Sequence, residues 1–313
     1  MDGNATLHAS NRLAVFVSAL ALCAGLVSTQ ESQAAGVWTN EPSGAKVLLD
    51  CPFSGNVCQM FNVYGNQPFS NDSSGPVSPT GILDEVLEAG SGTGGGQFVY
   101  EFRSALGQTA REVYVGMLWK TNPDFEGLSV NTNKMFFIRN SETDNNFMSW
   151  HGPQNQPRQL IWYTQSSYNN CHIPSYYSPG CGNPTAGAGT GWFTPNGPSN
   201  GVVGAGTGWH KIEMRMKSST TATSRDGLLQ WWLDGILVGN FSNVNLSPNG
   251  FADFQINHTW DGSAALFTPN RNMNLTWHHY WDHLYISASQ GSALADQPPG
   301  PPAQPTMRNV TIP

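Results

Sequence analysis

Short aromatic and β-branched runs alternate with turns rich in Gly, Asn, Pro and Ser from Val37 to about Ser287. In His210–Lys217, Ile212, Met214 and Met216 fall on one face, and the residues between them are charged. A period of two is the pattern of a half-buried strand. The same pattern predicts strands in seven more runs: 97–103, 112–120, 134–139, 160–164, 228–233, 251–257 and 280–287.

Helical patterns are almost absent from the chain. The best candidate is 82–88, which makes two turns at most, and its acidic residues Asp84, Glu85 and Glu88 are predicted to be a solvated helical turn. Many strands joined by Gly-rich turns, with no helices between them, indicate an all-β fold. We expect an antiparallel β-sandwich of the jelly-roll kind.

The two ends of the chain differ from this pattern. Arg12 precedes an uncharged run at 13–27, and Ser32-Gln33-Ala34 follows with small residues at the positions that a signal peptidase reads. The run is too short to span a bilayer. We therefore predict a signal peptide at 1–34, a jelly-roll domain at 36–288 and a Pro-rich tail at 289–313. The protein is expected to be secreted, to an extracellular or periplasmic location, with no membrane contact after cleavage.

Four cysteines remain after cleavage: Cys51, Cys58, Cys171 and Cys181. An even number in an exported chain favours disulfides, and four cysteines allow three connectivities. Sequence proximity favours Cys51–Cys58 and Cys171–Cys181. The spacings of seven and ten do not fit a zinc site.

Composition and motifs limit the classes of function that this protein can have. The chain has 14 Lys and Arg against 21 Asp and Glu, for a net charge of −7, and no basic stripe, so we expect no nucleic-acid partner. H-E-x-x-H and P-loop motifs are missing. The chain has 11 tryptophans; most are expected to fill the core of the sandwich, and because the adjacent Trp231 and Trp232 must point to opposite faces of a strand, at least one is expected on an outer surface. Aromatic rings stack on sugar faces, so a polysaccharide is the expected partner; the oligomeric state is left open.

Two motifs carry a family resemblance. Residues 208–216 (GWHKIEMRM) and 226–235 (DGLLQWWLDG) resemble the strand and hairpin of concanavalin A-like jelly rolls, notably alginate and glucuronan lyase-like proteins. Residues 112–120 with 133–137 are similar to the paired inner strands of these proteins, and 280–287 to the final strand. The resemblance implies a concanavalin A-like jelly roll that recognises carbohydrate. Lyases, hydrolases and lectins share that fold.

The resemblance also implies a site on the concave sheet face. Gln255 and Asn257 are similar to the Q-I-H arrangement of alginate lyases, with Asn in place of the His. A lyase needs a base for the C5 proton, an acid for the leaving oxygen and a group that neutralises the uronate carboxylate. The candidates are His151 or His258 as base, Tyr163 as acid, Lys134 or Arg139 near the carboxylate, and Trp260 as a stacking ring.

Regular alternation places Lys134 and Arg139 on opposite faces of their strand, so at most one would serve. Metal catalysis is not expected, because His279 and His283 would lie about 13 Å apart along a strand. By resemblance to the fold, a structural calcium ion is expected at Asp282 and backbone carbonyls near Glu41; no cofactor is expected for catalysis.

Two functions of different class stay open. One is a polysaccharide lyase acting on an acidic glycan. The other is a non-catalytic lectin-like module or an extracellular surface subunit. Whether the protein is an enzyme is therefore undecided at this point, and carbohydrate recognition is common to both.

Overall fold

The computed structural model describes residues 38–62, 69–87, 98–126, 132–140, 146–153, 156–165, 170–178, 180–181, 190–257 and 276–289. The predicted signal peptide, His258, Trp260 and nearly all of the Pro-rich tail lie outside these ranges. Within them, no helix is long and apolar enough to cross a membrane.

The described residues form one short helix and a series of strands. In chain order these are β1 (Lys46–Cys51), β2 (Phe61–Asn62), β3 (Phe69–Ser70), β4 (Ile82–Leu87), β5 (Phe98–Glu101), α1 (Phe102–Leu106), β6 (Glu112–Thr121), β7 (Thr132–Arg139), β8 (Phe147–His151), β9 (Arg158–Gln165), β10 (Tyr176–Tyr177), β11 (Thr190–Phe193), β12 (Val202–Val203), β13 (His210–Lys217), β14 (Gly227–Leu233), β15 (Ile236–Val244), β16 (Asp253–Ile256) and β17 (Trp277–Ser289).

These strands make two antiparallel sheets. The eight-stranded sheet has the order β15-β14-β13-β6-β17-β4-β3, with β1 also paired to β17. The nine-stranded sheet has the order β10-β11-β9-β8-β7-β16-β5-β2, with β12 also paired to β9. The predicted all-β antiparallel sandwich is confirmed.

The core fills the space between the sheets with the inward residues of both. Most of the tryptophans belong to it, and five of them are fully buried: Trp119, Trp150, Trp162, Trp231 and Trp281. Trp119 meets Trp150 edge to face across the sandwich, with ring centroids 5.3 Å apart. Large rings of this kind contribute much of the apolar area that stabilises a sandwich.

The predicted helix at 82–88 is wrong, because residues 82–87 are strand β4, paired to β17. Leu83 and Leu87 pack into the core. Glu85 is buried too, and its Oε2 accepts a hydrogen bond of 2.6 Å from Trp281 Nε1. Asp84, which faces the other way, lies 2.6 Å from His278 Nδ1. Partners on β17 therefore satisfy carboxylates that the sequence pattern assigns to solvent.

Two disulfides hold local loops, as predicted. They join Cys51 to Cys58 and Cys171 to Cys181. Cys51 ends β1 and is buried, so its bridge fastens the following loop to the core.

Trp38 covers part of the outer face of the eight-stranded sheet. Its ring stacks on Tyr285 at 5.6 Å and lies directly over Gly116, where a Cβ atom would come within 2.3 Å of the indole. Beside it, the buried Glu213 accepts hydrogen bonds from Tyr114 Oη and from Asn40 Nδ2, the latter at 3.1 Å. The segment that begins at Trp38 therefore docks on this sheet through both apolar and polar contacts.

Candidate functional site

An irregularity in β7 puts Lys134 and Arg139 on one face. Lys134 is opposite Ser149, but Phe136 is opposite Met148, so Met135 is an extra residue in the strand. Met135 and Phe136 both point into the core, and the alternation restarts one residue later. Such a bulge reverses the expected facing of everything beyond it. The expectation of opposite faces therefore fails, and both cations project from the outer face of the nine-stranded sheet.

Four aromatic rings from four adjacent strands form a row on this outer face. In order they are Phe137 (β7), Phe147 (β8), Tyr163 (β9) and Trp192 (β11). Successive ring centroids are 5.1, 4.6 and 4.4 Å apart. Phe137 and Phe147 are each only 4% exposed, whereas Tyr163 and Trp192 are half-buried. We call these four residues the aromatic row; its accessible end is the Tyr163–Trp192 pair.

His151 lies at the accessible end of the aromatic row. It is the last residue of β8, on the same face as Phe147, and its ring centroid is 5.0 Å from that of Trp192. Tyr163 and His151 thus contact the same indole. Burial lowers the pKa of His151 below its usual 6.5, because desolvation disfavours the charged ring. The imidazole is therefore neutral at neutral pH and able to accept a proton.

Lys134 supplies positive charge next to the row. Its Nζ lies 5.5 Å from the ring centroid of Phe147, within cation–π range. The side chain is half-buried, so part of it reaches solvent on the outer face. Aromatic rings, a neutral histidine and a lysine ammonium therefore share one surface.

Arg139 has an acidic partner within the chain. Its Nε and Nη2 donate to the two carboxylate oxygens of Asp253 at 2.8 and 2.7 Å. Gln255 Nε2 donates to the same carboxylate at 2.9 Å. Burial raises the pKa of Asp253, and the hydrogen bonds from Arg139 oppose that shift. The three side chains form one connected unit on the outer face of β7 and β16.

Gln255 and Asn257 are close to the site but little exposed. Gln255 is only 1% exposed and contacts Asp253, and Asn257 is buried at the end of β16. The Asn257 backbone N–H donates to the carbonyl of Met135 at 3.2 Å, so it is tied to the β7 bulge. His258 and Trp260 lie outside the described residues, and their roles stay predictions.

Asp282 is the extra residue of a second bulge, between Trp281 and His283 in β17. Its carboxylate is fully buried and accepts hydrogen bonds from the backbone N–H groups of Val77 and Ser78. Glu41 instead accepts from Tyr285 Oη at 2.8 Å. Among the described residues, no three His, Cys, Asp or Glu side chains are grouped to hold a metal ion. The structural calcium ion stays a prediction.

A separate cavity of about 460 Å³ lies at one end of the sandwich. It is lined by the turn at 123–126, by residues 156–158 and by Gly204 and Ala205. Arg158 is 1% exposed there, and its guanidinium lies 4.7 Å from the ring centroid of Trp150. None of the predicted site residues lines this cavity.

No protein-family model matches the chain, and no curated protein sequence matches it. Among solved structures, the alginate lyase Aly36B is 17% identical over 76% of this chain and 95% of its own, with a TM-score of 0.46. An endo-β-1,4-glucuronan lyase from the fungus Trichoderma reesei is 14% identical over 75% and 94%, with a TM-score of 0.49.

The alginate lyase vAL-1 from a Chlorella virus is also similar, at 14% identity over 73% of this chain and 90% of its own, with a TM-score of 0.46. The predicted resemblance to alginate and glucuronan lyase-like jelly rolls is confirmed as a resemblance of fold. At these values the likeness carries no argument about what the chain binds or does.

Four residues of the site were not among those predicted from the sequence: Phe137, Phe147, Trp192 and Asp253. Asp253 could have been found, because it lies two residues before Gln255 and must share its face in a strand. Trp192 lies in the Gly-rich segment 180–208, whose glycines suggest a long loop, but residues 190–193 are strand β11. The sequence around Phe147 (FMSWH) shows no clear alternation of apolar and polar residues, so it does not predict which face of the sheet Phe147 lies on.

Proposed function

We propose that this protein is an exported, carbohydrate-recognising jelly-roll protein that binds an acidic polysaccharide across the outer face of its nine-stranded sheet. One observation carries the proposal. Tyr163 and His151 both contact the Trp192 indole, all three side chains are half-buried on one face, and the ammonium of Lys134 lies over Phe147 on the same face.

The chemistry of these groups suits a sugar acid. Accessible aromatic rings offer a flat apolar surface to the C–H faces of a pyranose, and an indole adds one N–H donor. A lysine ammonium attracts a uronate carboxylate, and it does so best where the surroundings are partly desolvated. An array of rings with few polar groups is the usual composition of a small-molecule site.

Cleavage by β-elimination is the finer part of the proposal. His151 accepts the C5 proton of the uronate, the C4–O bond breaks as a C4=C5 double bond forms, and Tyr163 donates a proton to the leaving oxygen. Lys134 stabilises the negative charge that builds on the carboxylate. The neutral state of His151 supports the base role, since a base must be unprotonated at the working pH. No cofactor takes part in these steps.

A non-catalytic, lectin-like module is the second candidate. It is favoured by Asn257, which replaces the histidine of the alginate lyase motif, and by Arg139, whose charge is compensated by Asp253. In that case the same face binds the glycan and no bond is cut.

Incubation with a panel of uronate polysaccharides tests both candidates at once. Retention on immobilised polymer reports binding, and ultraviolet absorbance of the unsaturated product reports cleavage. For a lyase, His151→Ala and Tyr163→Phe should abolish product while retention persists, because both groups act mainly in the transition state.

His278→Ala is the matched control, since this half-buried histidine lies on the outer face of the opposite sheet. It should leave product formation unchanged. Retention without product in the unmodified protein would establish the lectin-like function. Neither retention nor product with any polymer of the panel would overturn the proposal.

A further inference from the structure

We infer that Asp253 makes the corner of the outer face around Arg139 a subsite for a neutral sugar, so that the preferred polysaccharide has neutral sugars between its uronates. The inference rests on the proposed function and names its substrate class.

The corner is defined by a bidentate ion pair. Two N–H groups of Arg139 donate hydrogen bonds to Asp253. This is the same bidentate geometry in which an arginine binds a sugar carboxylate. The pair is accessible from the outer face only in part, with side-chain exposures of 19% for Arg139 and 9% for Asp253. Gln255 Nε2 donates to the same Asp253 carboxylate. The Asp253 carboxylate is thus held by both Arg139 and Gln255.

Charge differs between the two ends of β7. Two carboxylates lie near Arg139. Asp253 of β16 pairs directly with Arg139 of β7, and Glu101 of β5 pairs with Asp253 on its other side. With one cation and two carboxylates, this corner has a formal charge of −1. At the other end of β7, Lys134 adds a positive charge close to Phe147. The two ends lie about 15 Å apart along the strand.

A uronate and a neutral sugar meet this corner differently. A carboxylate brought to Arg139 comes close to Asp253 and Glu101, and juxtaposed like charges oppose binding strongly in a partly desolvated site. Sugar hydroxyls can donate to Asp253 and accept from the remaining guanidinium N–H groups. The corner therefore accepts hydroxyls and excludes an anion, whereas the Lys134 end accepts the uronate.

Charge-neutralising variants test this subsite. Retention is measured on alginate, a polymer of uronates only, and on hyaluronan and other polymers in which uronates alternate with neutral sugars. The unmodified protein should retain an alternating polymer better than alginate. Asp253→Asn should strengthen retention of alginate at least about tenfold, because it leaves Arg139 available to a carboxylate.

Two further variants isolate the cause. R139Q/D253N removes the cation together with the anion and should lose the gain. Asp84→Asn makes the same charge change at a buried, His-paired carboxylate of the opposite sheet and should show no gain. Glu101→Gln, at an exposed side chain, keeps the ion pair intact and should give a smaller gain in the same direction.

Circular dichroism and the melting temperature check that each variant is folded. If Asp253→Asn does not fold, Glu101→Gln decides the question. A folded Asp253→Asn without the gain, or better retention of alginate than of every alternating polymer by the unmodified protein, would overturn the inference. Failure of the proposed function is a different result, namely that no polysaccharide is retained at all.

Discussion

Lys134 and Arg139 project from the same face of β7, because Met135 is an extra residue that turns inward between them. Their surroundings are unlike. Arg139 is held by a carboxylate of β16, whereas Lys134 lies over an aromatic ring. One strand thus presents a cation paired with a carboxylate at one end and a cation next to aromatic rings at the other.

The two cations should respond differently to truncation. Lys134→Ala is expected to weaken retention of an acidic polysaccharide about tenfold and to reduce its salt dependence, because the attraction between the lysine ammonium and a carboxylate is screened by salt. Arg139→Ala is expected to destabilise the fold by about 2 kcal/mol, because it leaves the buried Asp253 without its main donors.

Retention at two ionic strengths and denaturant unfolding measure these effects. Equal losses of retention with no loss of stability in either variant would contradict the distinction.

Protonation of His151 should destabilise the fold. Burial lowers the pKa of this ring in the folded state below its usual 6.5, so the unfolded chain binds more protons in the interval between the two pKa values. Stability should therefore fall as the pH is lowered through 6.5 toward the folded pKa.

Unfolding of His151→Gln over the same pH range gives the comparison. The variant should lose less stability than the unmodified protein as the pH falls. Identical pH dependence would show that His151 is not desolvated as described.

Trp38 and Gly116 should be energetically coupled. Gly116→Ala puts a Cβ atom where the indole lies and must displace the ring. Trp38→Ala alone should cost about 3 kcal/mol of unfolding free energy, as for other buried large-to-small changes. In that background, Gly116→Ala should cost far less than it does with Trp38 present. A double-mutant cycle by denaturant unfolding measures the coupling, and additive effects would mean that Trp38 does not dock there.

Thiol titration of the unfolded, non-reduced mature protein should find no free cysteine. Replacing Cys171 and Cys181 together by serine opens a loop of sequence separation 10, which should lower the unfolding free energy by about 2–3 kcal/mol. The disulfide Cys51–Cys58 should remain in that variant, which mass spectrometry can confirm. Two free thiols after the double replacement would contradict the pairing.

The strands were predictable because burial on one face leaves a period of two in the sequence. His210–Lys217 is a strand with the predicted bounds, and the strand predicted at 112–120 extends by one residue in β6. At 82–87 the period of two is interrupted by Asp84 and Glu85, so this strand was not predicted. Their partners, His278 and Trp281, lie almost 200 residues further along the chain, so no local pattern could reveal that these carboxylates are satisfied.

The candidate site was predictable in its residue types but not in its arrangement. Gln255, Tyr163, His151, Lys134 and Arg139 all lie on one face, as a shared site requires. A bulge depends on pairing with a neighbouring strand, so the facing of Lys134 relative to Arg139 could not be read from β7 alone. The capture of Arg139 by Asp253 likewise depends on the register of β7 with β16.

The most direct measurement is the binding of an acidic polysaccharide by Trp192→Ala and Trp209→Ala side by side. Both tryptophans are half-buried, but Trp209 lies over Lys120 near the opposite sheet, with its Nε1 donating to Ser74 at 3.1 Å. Loss of the Trp192 ring should weaken retention at least about tenfold, as expected for a stacking ring that contacts both Tyr163 and His151, and loss of the Trp209 ring should leave it unchanged. Unchanged retention in Trp192→Ala, or a loss confined to Trp209→Ala, would contradict a glycan site on the outer face of the nine-stranded sheet.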